Sequence, residues 1–299
     1  MKNCKKHFLV ALVVLFMGQF LAPKAAQAQV VEVGGSIGLS YYMGDINPKK
    51  PLNSSKLGWG ALIRYYSNTR WAFRFAYSNL QLNGSDAKSG YRPERGLSFQ
   101  TKTHDIALLA EFNFFEYFTG SKRNKLSPYL FGGISLFGFE PQDMDGKCLH
   151  DLKTDVTYET SKDKEGKSHS YEKKVDYNTI AVSIPFGIGV KYSLSSKLGM
   201  ALEWRWDYTF TDWIDDCHAY YPSNYHGHHY SDIDIQHADP THFADDPEHP
   251  GDNFAWYKQR GNKEDNDWFG YLNLSIVYKF ILPGANDCKT EKKNAFNTY

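Results

Sequence analysis

Across residues 198–210 the chain alternates strictly. Leu198, Met200, Leu202, Trp204, Trp206, Tyr208 and Phe210 form one set, and Gly199, Ala201, Glu203, Arg205, Asp207 and Thr209 the other. Successive side chains of a strand point to opposite faces, so this segment asks for an apolar surrounding on one side and a polar one on the other. A soluble sheet alternates too, but it seldom sets a Glu-Arg-Asp series opposite an unbroken apolar row rich in aromatics. A bilayer outside and a polar interior inside require that pattern.

Seven further segments repeat the theme. About 31–43 places Val31, Val33, Ile37, Leu39 and Tyr41 on one face and Glu32, Ser36 and Ser40 on the other. About 57–66 turns Trp59, Ile63 and Tyr65 outward and Arg64 inward, and a tight turn at 67–70 leads to Trp71, Phe73, Phe75 and Tyr77 outward with Arg74 inward. About 99–115 sets Ile106, Leu108, Ala110, Phe112 and Phe114 against Asp105, Glu111 and Asn113. Segment 180–192 alternates Ile180, Val182, Ile184, Phe186, Ile188, Val190 and Tyr192 with small residues and Lys191, and its Pro185 predicts a bulge. Segment 268–280 carries Leu272, Leu274, Ile276, Tyr278 and Phe280 outward and Lys279 inward. Segment 128–139 is apolar and Gly-rich on both faces, so its facing is open.

The connections alternate in length. Those after the second, fourth and sixth segments are short, whereas those after the fifth and seventh span about 140–177 and 211–267. This predicts an all-β fold, an eight-stranded antiparallel transmembrane (outer-membrane) β-barrel over 29–280 with short periplasmic turns and long extracellular loops. Two aromatic girdles follow. Tyr41, Trp59, Trp206, Tyr208, Phe210 and Trp268 fall near the outer rim, and Tyr65, Trp71, Phe112, Phe114, Tyr192, Tyr278 and Phe280 near the periplasmic one. A secreted lipocalin-like barrel or a β-sandwich would instead bury these apolar faces against each other.

Inward charges number five of each sign: Glu32, Asp105, Glu111, Glu203 and Asp207 against Arg64, Arg74, Lys191, Arg205 and Lys279. An eight-stranded barrel has room inside only for side chains. A mutually paired plug is therefore expected, rather than a solute channel.

The N-terminus changes the compartment. Lys2, Lys5 and Lys6, an apolar run over 8–21 and the small-x-small triplet Ala26-Gln27-Ala28 read as a secretory signal peptide over 1–28. Its removal takes Lys2, Lys5, Lys6 and Lys24 from 34 basic side chains, leaving 30 against 34 acidic, a formal −4. No basic field recommends a nucleic acid. The mean hydropathy of -0.54 excludes a helical membrane protein but suits a small barrel, in which only alternate strand residues meet lipid.

Seven of the eleven histidines fall in the last long loop: His218, His226, His228, His229, His237, His242 and His249, interspersed with Asp215, Asp216, Asp232, Asp234, Asp239, Asp245 and Asp246. The spacing fits no fixed metal geometry and reads as a solvated surface loop, with a weak metal site at His226, His228 and His229 as the alternative. Cys148 and Cys217 both lie in outer loops and can form an optional disulfide in an oxidising exterior, whereas Cys288 follows the last strand. No G-x-S-x-G, H-E-x-x-H or phosphate-cradling loop occurs, so neither an enzyme nor a cofactor is indicated.

The strings SYYMGDINP, AEFNFFEY, LSPYLFGGISLF, SIPFGIGVKYSLS, TFTDWIDD and QRGNKEDNDWFGYLNLSIVYKF, in this order, resemble the PorG-like outer-membrane barrels linked to the type IX secretion system. The likeness runs from about Val33 to Phe280; the His-rich stretch and the long charged third loop depart from it. It implies a non-enzymatic accessory of that machinery, held in outer-membrane lipid and docked on a periplasmic PorK/PorN-type ring. Lys122, Arg123 and Lys125 in a periplasmic turn, and the tail 281–299 with Lys289, Lys292 and Lys293, offer docking surfaces. Tyr278 and Phe280 resemble the terminal aromatic signal read by the barrel assembly machinery. The competing readings are a small adhesin-type or protective surface barrel that binds through its loops, and a lipid-modifying barrel enzyme.

Overall fold

The computed structural model describes residues 29–121, 124–152, 154–162, 168–174, 176–221, 237–243 and 259–282. The signal-peptide segment, Lys122, Arg123, Cys288, the tail lysines and the histidines at 226, 228 and 229 lie outside these residues.

Eight strands close into an antiparallel barrel: β1 (Gln29–Met43), β2 (Lys56–Tyr66), β3 (Trp71–Ser85), β4 (Ser98–Asn113), β5 (Leu126–Gln142), β8 (Ile180–Ser193), β9 (Leu198–Thr209) and β10 (Trp268–Leu282). The remaining two, β6 (Val156–Lys162) and β7 (Ser168–Lys174), form a separate ribbon within the long β5–β8 connection, where the sequence suggested only loop. Barrel neighbours are also chain neighbours, and the seam is β1 against β10, paired from Gln29↔Leu282 to Met43↔Trp268. A closed ladder leaves no edge, which is what lets strands cross a hydrocarbon layer.

The outward face is a continuous apolar belt. Ile134, Ile188, Leu108, Leu202 and Ile276 are all more than half exposed, at 62%, 58%, 56%, 55% and 55%. Water would not tolerate so wide a patch, whereas covering the exposed half of each such side chain with lipid is worth about 1–1.5 kcal/mol. Aromatic contacts gather towards both rims of the belt: Trp204 stacks on Trp206 at 4.7 Å and Tyr208 meets Trp268 at 4.8 Å, while Trp71 meets Phe112 at 5.0 Å and Tyr278 meets Phe280 at 4.9 Å towards the short-turn end. Tyr41 is outward yet buried. It lies over Gly270, where a Cβ would come within 2.2 Å of its ring, and its hydroxyl accepts the Trp204 indole N–H at 2.7 Å.

Two details differ from the sequence reading. β5 sends Tyr129, Phe131, Phe137 and Phe139 inward and Leu130, Ile134 and Leu136 outward, so aromatics filling the lumen erased the contrast between its faces. Pro185 interrupts the β5–β8 pairing between Gly132↔Phe186 and Ser135↔Ser183 without shifting the register, so no bulge forms.

Candidate functional site

The lumen is filled by two charged groups of unequal size. In the larger, Arg64 Nη1 lies 2.8 Å from Glu32 and its Nε 2.8 Å from Glu111, while Arg74 Nε lies 2.9 Å from Glu111 and its Nη1 pairs with Glu203. Lys191 pairs with Glu111 and donates to Asn113 Oδ1 at 2.9 Å, and Tyr129 donates to Glu203. In the smaller, nearer the long loops, Arg205 bridges Asp105 at 2.8 Å and Asp207 at 2.7 Å, and Ser183 donates to Asp207 at 3.0 Å. All nine of these charged side chains are buried. Their positions follow from period two on successive strands, which brings Glu32 beside Arg64 and Arg64 beside Arg74 in register. Lys279 joins no ion pair among the described residues; its ammonium sits 5.4 Å from the Phe118 ring.

Both mouths are closed. At the short-turn end the β4–β5 connection buries Tyr117, Phe118 and Thr119, with Thr119 donating to Glu32 and the Gly120 N–H donating to Ser193 Oγ at 2.8 Å. At the long-loop end an apolar core of Tyr42, Ile46, Leu97, Phe99, Phe137, Leu149, Ile214 and Phe269 joins the upper strands to the loops.

Above that core lies an acid-rich cap. The strings GDINP, TDWIDD, QRGN and NDW, distant in sequence, meet here. Arg95 donates to Asp86 at 2.8 and 2.7 Å, to the Arg260 carbonyl at 2.6 Å and to the Asp45 carbonyl at 3.0 Å. Asp155 accepts the N–H groups of His218 at 2.7 Å and Ala219 at 2.9 Å, and Asp45 accepts that of Asn262 at 2.6 Å. Tyr177 donates to Asp216 at 2.7 Å and stacks on Trp213 at 4.4 Å. Burial pushes Asp45 up to about 6 and Asp212 up to about 10, the latter also repelled by Asp215. His218, held 2.6 Å from Asp212, is pushed down by burial.

The cap corrects two expectations. Asp215, Asp216 and Asp239 are buried rather than solvated: Asp215 and Asp239 accept the Cys217 and Phe243 N–H groups, and Asp216 accepts the Thr154 and Tyr177 hydroxyls. Cys148 and Cys217 are both free thiols, so the optional bridge is not formed. Cys217 is fully buried, donates to the Arg260 carbonyl at 3.2 Å and accepts from Arg95 at 3.3 Å, and these contacts hold its sulfur inward. Tyr278 and Phe280 stand on the lipid face near the last turn of the seam. Sequence reasoning missed Tyr42, Asp86, Arg95, Asp155, Arg260 and Asp267 as a unit. Their only signal was that several lie within the strings that carry the family likeness.

A sealed eight-stranded barrel with a lipid-facing belt defines the molecule as a small outer-membrane-type β-barrel. The chain belongs to the family described as "Domain of unknown function (DUF6089)", which matches residues 6–161. No curated protein matches the sequence. Solved structures similar to it include the attachment invasion locus protein Ail of Yersinia pestis, at 10% identity over 86% of this chain and 100% of that one with a TM-score of 0.37. OprG of Pseudomonas aeruginosa is 9% identical over 86% and 98% of the two chains, TM-score 0.37. A major outer membrane protein from Thermus thermophilus is 11% identical over 85% and 100%, TM-score 0.38.

Proposed function

We propose that this protein is a non-conducting, non-enzymatic outer-membrane scaffold that acts through its surfaces, as an accessory of the type IX secretion machinery docked on a periplasmic PorK/PorN-type ring. The observation that carries the scaffold reading is the lumen: ion pairs fill its middle, and a folded turn and a folded cap close its ends. An eight-stranded barrel so filled transports nothing, which leaves its two faces to work. The secretion reading rests on the resemblance of the strings from SYYMGDINP to QRGNKEDNDWFGYLNLSIVYKF to the PorG-like barrels. In this reading the short turns face the periplasm, where Lys125 and the sequence beyond β10, with Lys289, Lys292 and Lys293, meet the ring. Tyr278 and Phe280 then serve the assembly machinery, and a signal peptide over 1–28 directs export.

Truncation after Leu282 tests the docking. Barrel insertion should persist, co-purification of the ring proteins should be lost, and secreted cargo should accumulate in the periplasm. Unchanged co-purification overturns docking through the tail, and discrete single-channel currents from the purified protein in planar bilayers overturn the scaffold reading. The size and order of the cap favour a second reading, a surface barrel that binds through its long loops. Deleting residues 156–174 should then abolish binding while cargo export continues.

A further inference from the structure

The cap holds more carboxylates than cations. Arg95 is committed to Asp86, and Arg260 lies 3.5 Å from Asp155 and 3.8 Å from Asp216. Asp215 and Asp267 are buried and make no ion pair among the described residues. One oxygen of each is accounted for, since Asp215 Oδ1 accepts the Cys217 N–H at 3.0 Å and Asp267 Oδ2 accepts the Ile214 N–H at 2.9 Å. The other two oxygens converge on a single group, the Tyr42 hydroxyl, at 2.8 Å from Asp267 and in a close hydrogen bond with Asp215.

Proton counting decides what this means. A phenol hydroxyl has one proton and can donate it to one of the two oxygens. The second contact then needs a proton on a carboxyl, because two anionic oxygens about one hydroxyl, out of water and without a cation, repel. Among the described residues no group of three His, Cys, Asp or Glu side chains has the geometry to hold a metal there.

We propose that the cap is a proton-dependent latch, in which a carboxyl proton on Asp215 or Asp267, additional to the Tyr42 hydroxyl's own, ties residues 211–221 to the tops of β1 and β10, and its loss releases them. Among the groups around the latch, Asp45 and Asp212 favour keeping the proton, while the Tyr42 hydrogen bonds and Arg95 oppose it. From the end of β1 and the turn after it come Tyr42 and Asp45, and from the β5–β8 connection Asp155. The β9–β10 connection adds Asp212, around which stand Asp155, Asp265 and His218, with Asp216 and Arg260 further off beside Asp155. The β3–β4 connection brings Asp86 and Arg95, and Arg95 is the cation that pulls Asp215 the other way. Burial comes first, and repulsion by Asp267 for Asp215 and by Asp212 for Asp267 comes next, in raising both well above the usual carboxylate range. A closed state that holds a proton which the open state releases is favoured in acid and loses that advantage as pH climbs through its raised pKa. Asp215 also lines a cleft of about 280 Å³ beside Leu97, Met144, Leu149, His237 and Arg260, through which the proton can exchange with solvent. This inference stands independently of periplasmic docking.

Cys217, fully buried two residues beyond Asp215, is a reporter built into the latch. In full-length protein with its other cysteines replaced by serine, a methanethiosulfonate reagent is applied at pH 6 and pH 9. Each labelling rate is divided by that of the denatured chain at the same pH, which cancels the ionisation of the thiol. The ratio should rise about tenfold or more from the lower to the higher pH. It should stay low at both in Asp215→Asn, whose amide can donate to Tyr42 and has no proton to lose. Equal ratios in the parent at the two pH values overturn the latch, as does a full pH response retained in Asp215→Asn. If Asp215→Asn and Asp267→Asn both label at the denatured rate at pH 6, the carboxyl proton is not what holds the cap, and the proposal falls.

Discussion

The lumen and the cap are both buried and both charged, yet they satisfy their carboxylates by different means. In the lumen the strand N–H groups are taken up by the ladders, so Glu32, Glu111 and Glu203 turn to Arg64, Arg74 and Lys191. In the cap the backbone is loop, its N–H groups need acceptors, and aspartate is short enough to reach them: Asp86 takes Leu97, Asp155 takes His218 and Ala219, and Asp267 takes Ile214. Acid without matching base is therefore stable in one place and costly in the other. The lesson is that a count of charges does not describe a buried site until the backbone has been included.

The sharpest way to break this contrast is Glu111→Ala. It strips the shared partner from Arg64, Arg74 and Lys191 and should cost about 3–5 kcal/mol in urea unfolding from lipid vesicles. A cost below about 1 kcal/mol would mean the lumen is solvated after all. Asp86→Ala should come next, at about 2–4 kcal/mol, since it frees the Arg95 fork and the Leu97 N–H. Its effect should appear as faster hydrogen exchange confined to the cap, with barrel amides unchanged; exchange spreading into the strands would show that cap and lumen unfold as one unit. The mildest expected effect is Trp204→Phe, about 1 kcal/mol, because it removes the indole donor to Tyr41 on the lipid face and touches neither charged region.

Legibility in the sequence divides along the same line. β9, β4 and β8 could be read because their faces meet different solvents, and the chain records that difference every second residue. β5 could not, since its inward Phe131 packs against the Arg74 guanidinium at 4.9 Å and its inward Tyr129 against the Lys191 ammonium at 4.4 Å, so apolar side chains serve a polar lumen. The cap was hidden for another reason. Asp45, Asp86, Asp155, Asp215 and Asp267 come from four separate connections, have no common period, and look in sequence like any solvated loop. The β6–β7 ribbon was obscured in the same way by the charges of its segment.

The seam between β1 and β10 has a consequence for the order of assembly. Tyr42 lies at the top of the first strand and Asp267 immediately precedes the last, so their hydrogen bond joins residues from opposite ends of the barrel sequence. They meet only when the final strand has found the first. A chain stalled with its seam open can place the earlier strands and the lower ion pairs, but it cannot build the lid. A finished lid is therefore a certificate, legible from one side of the membrane, that the ring of strands behind it is complete.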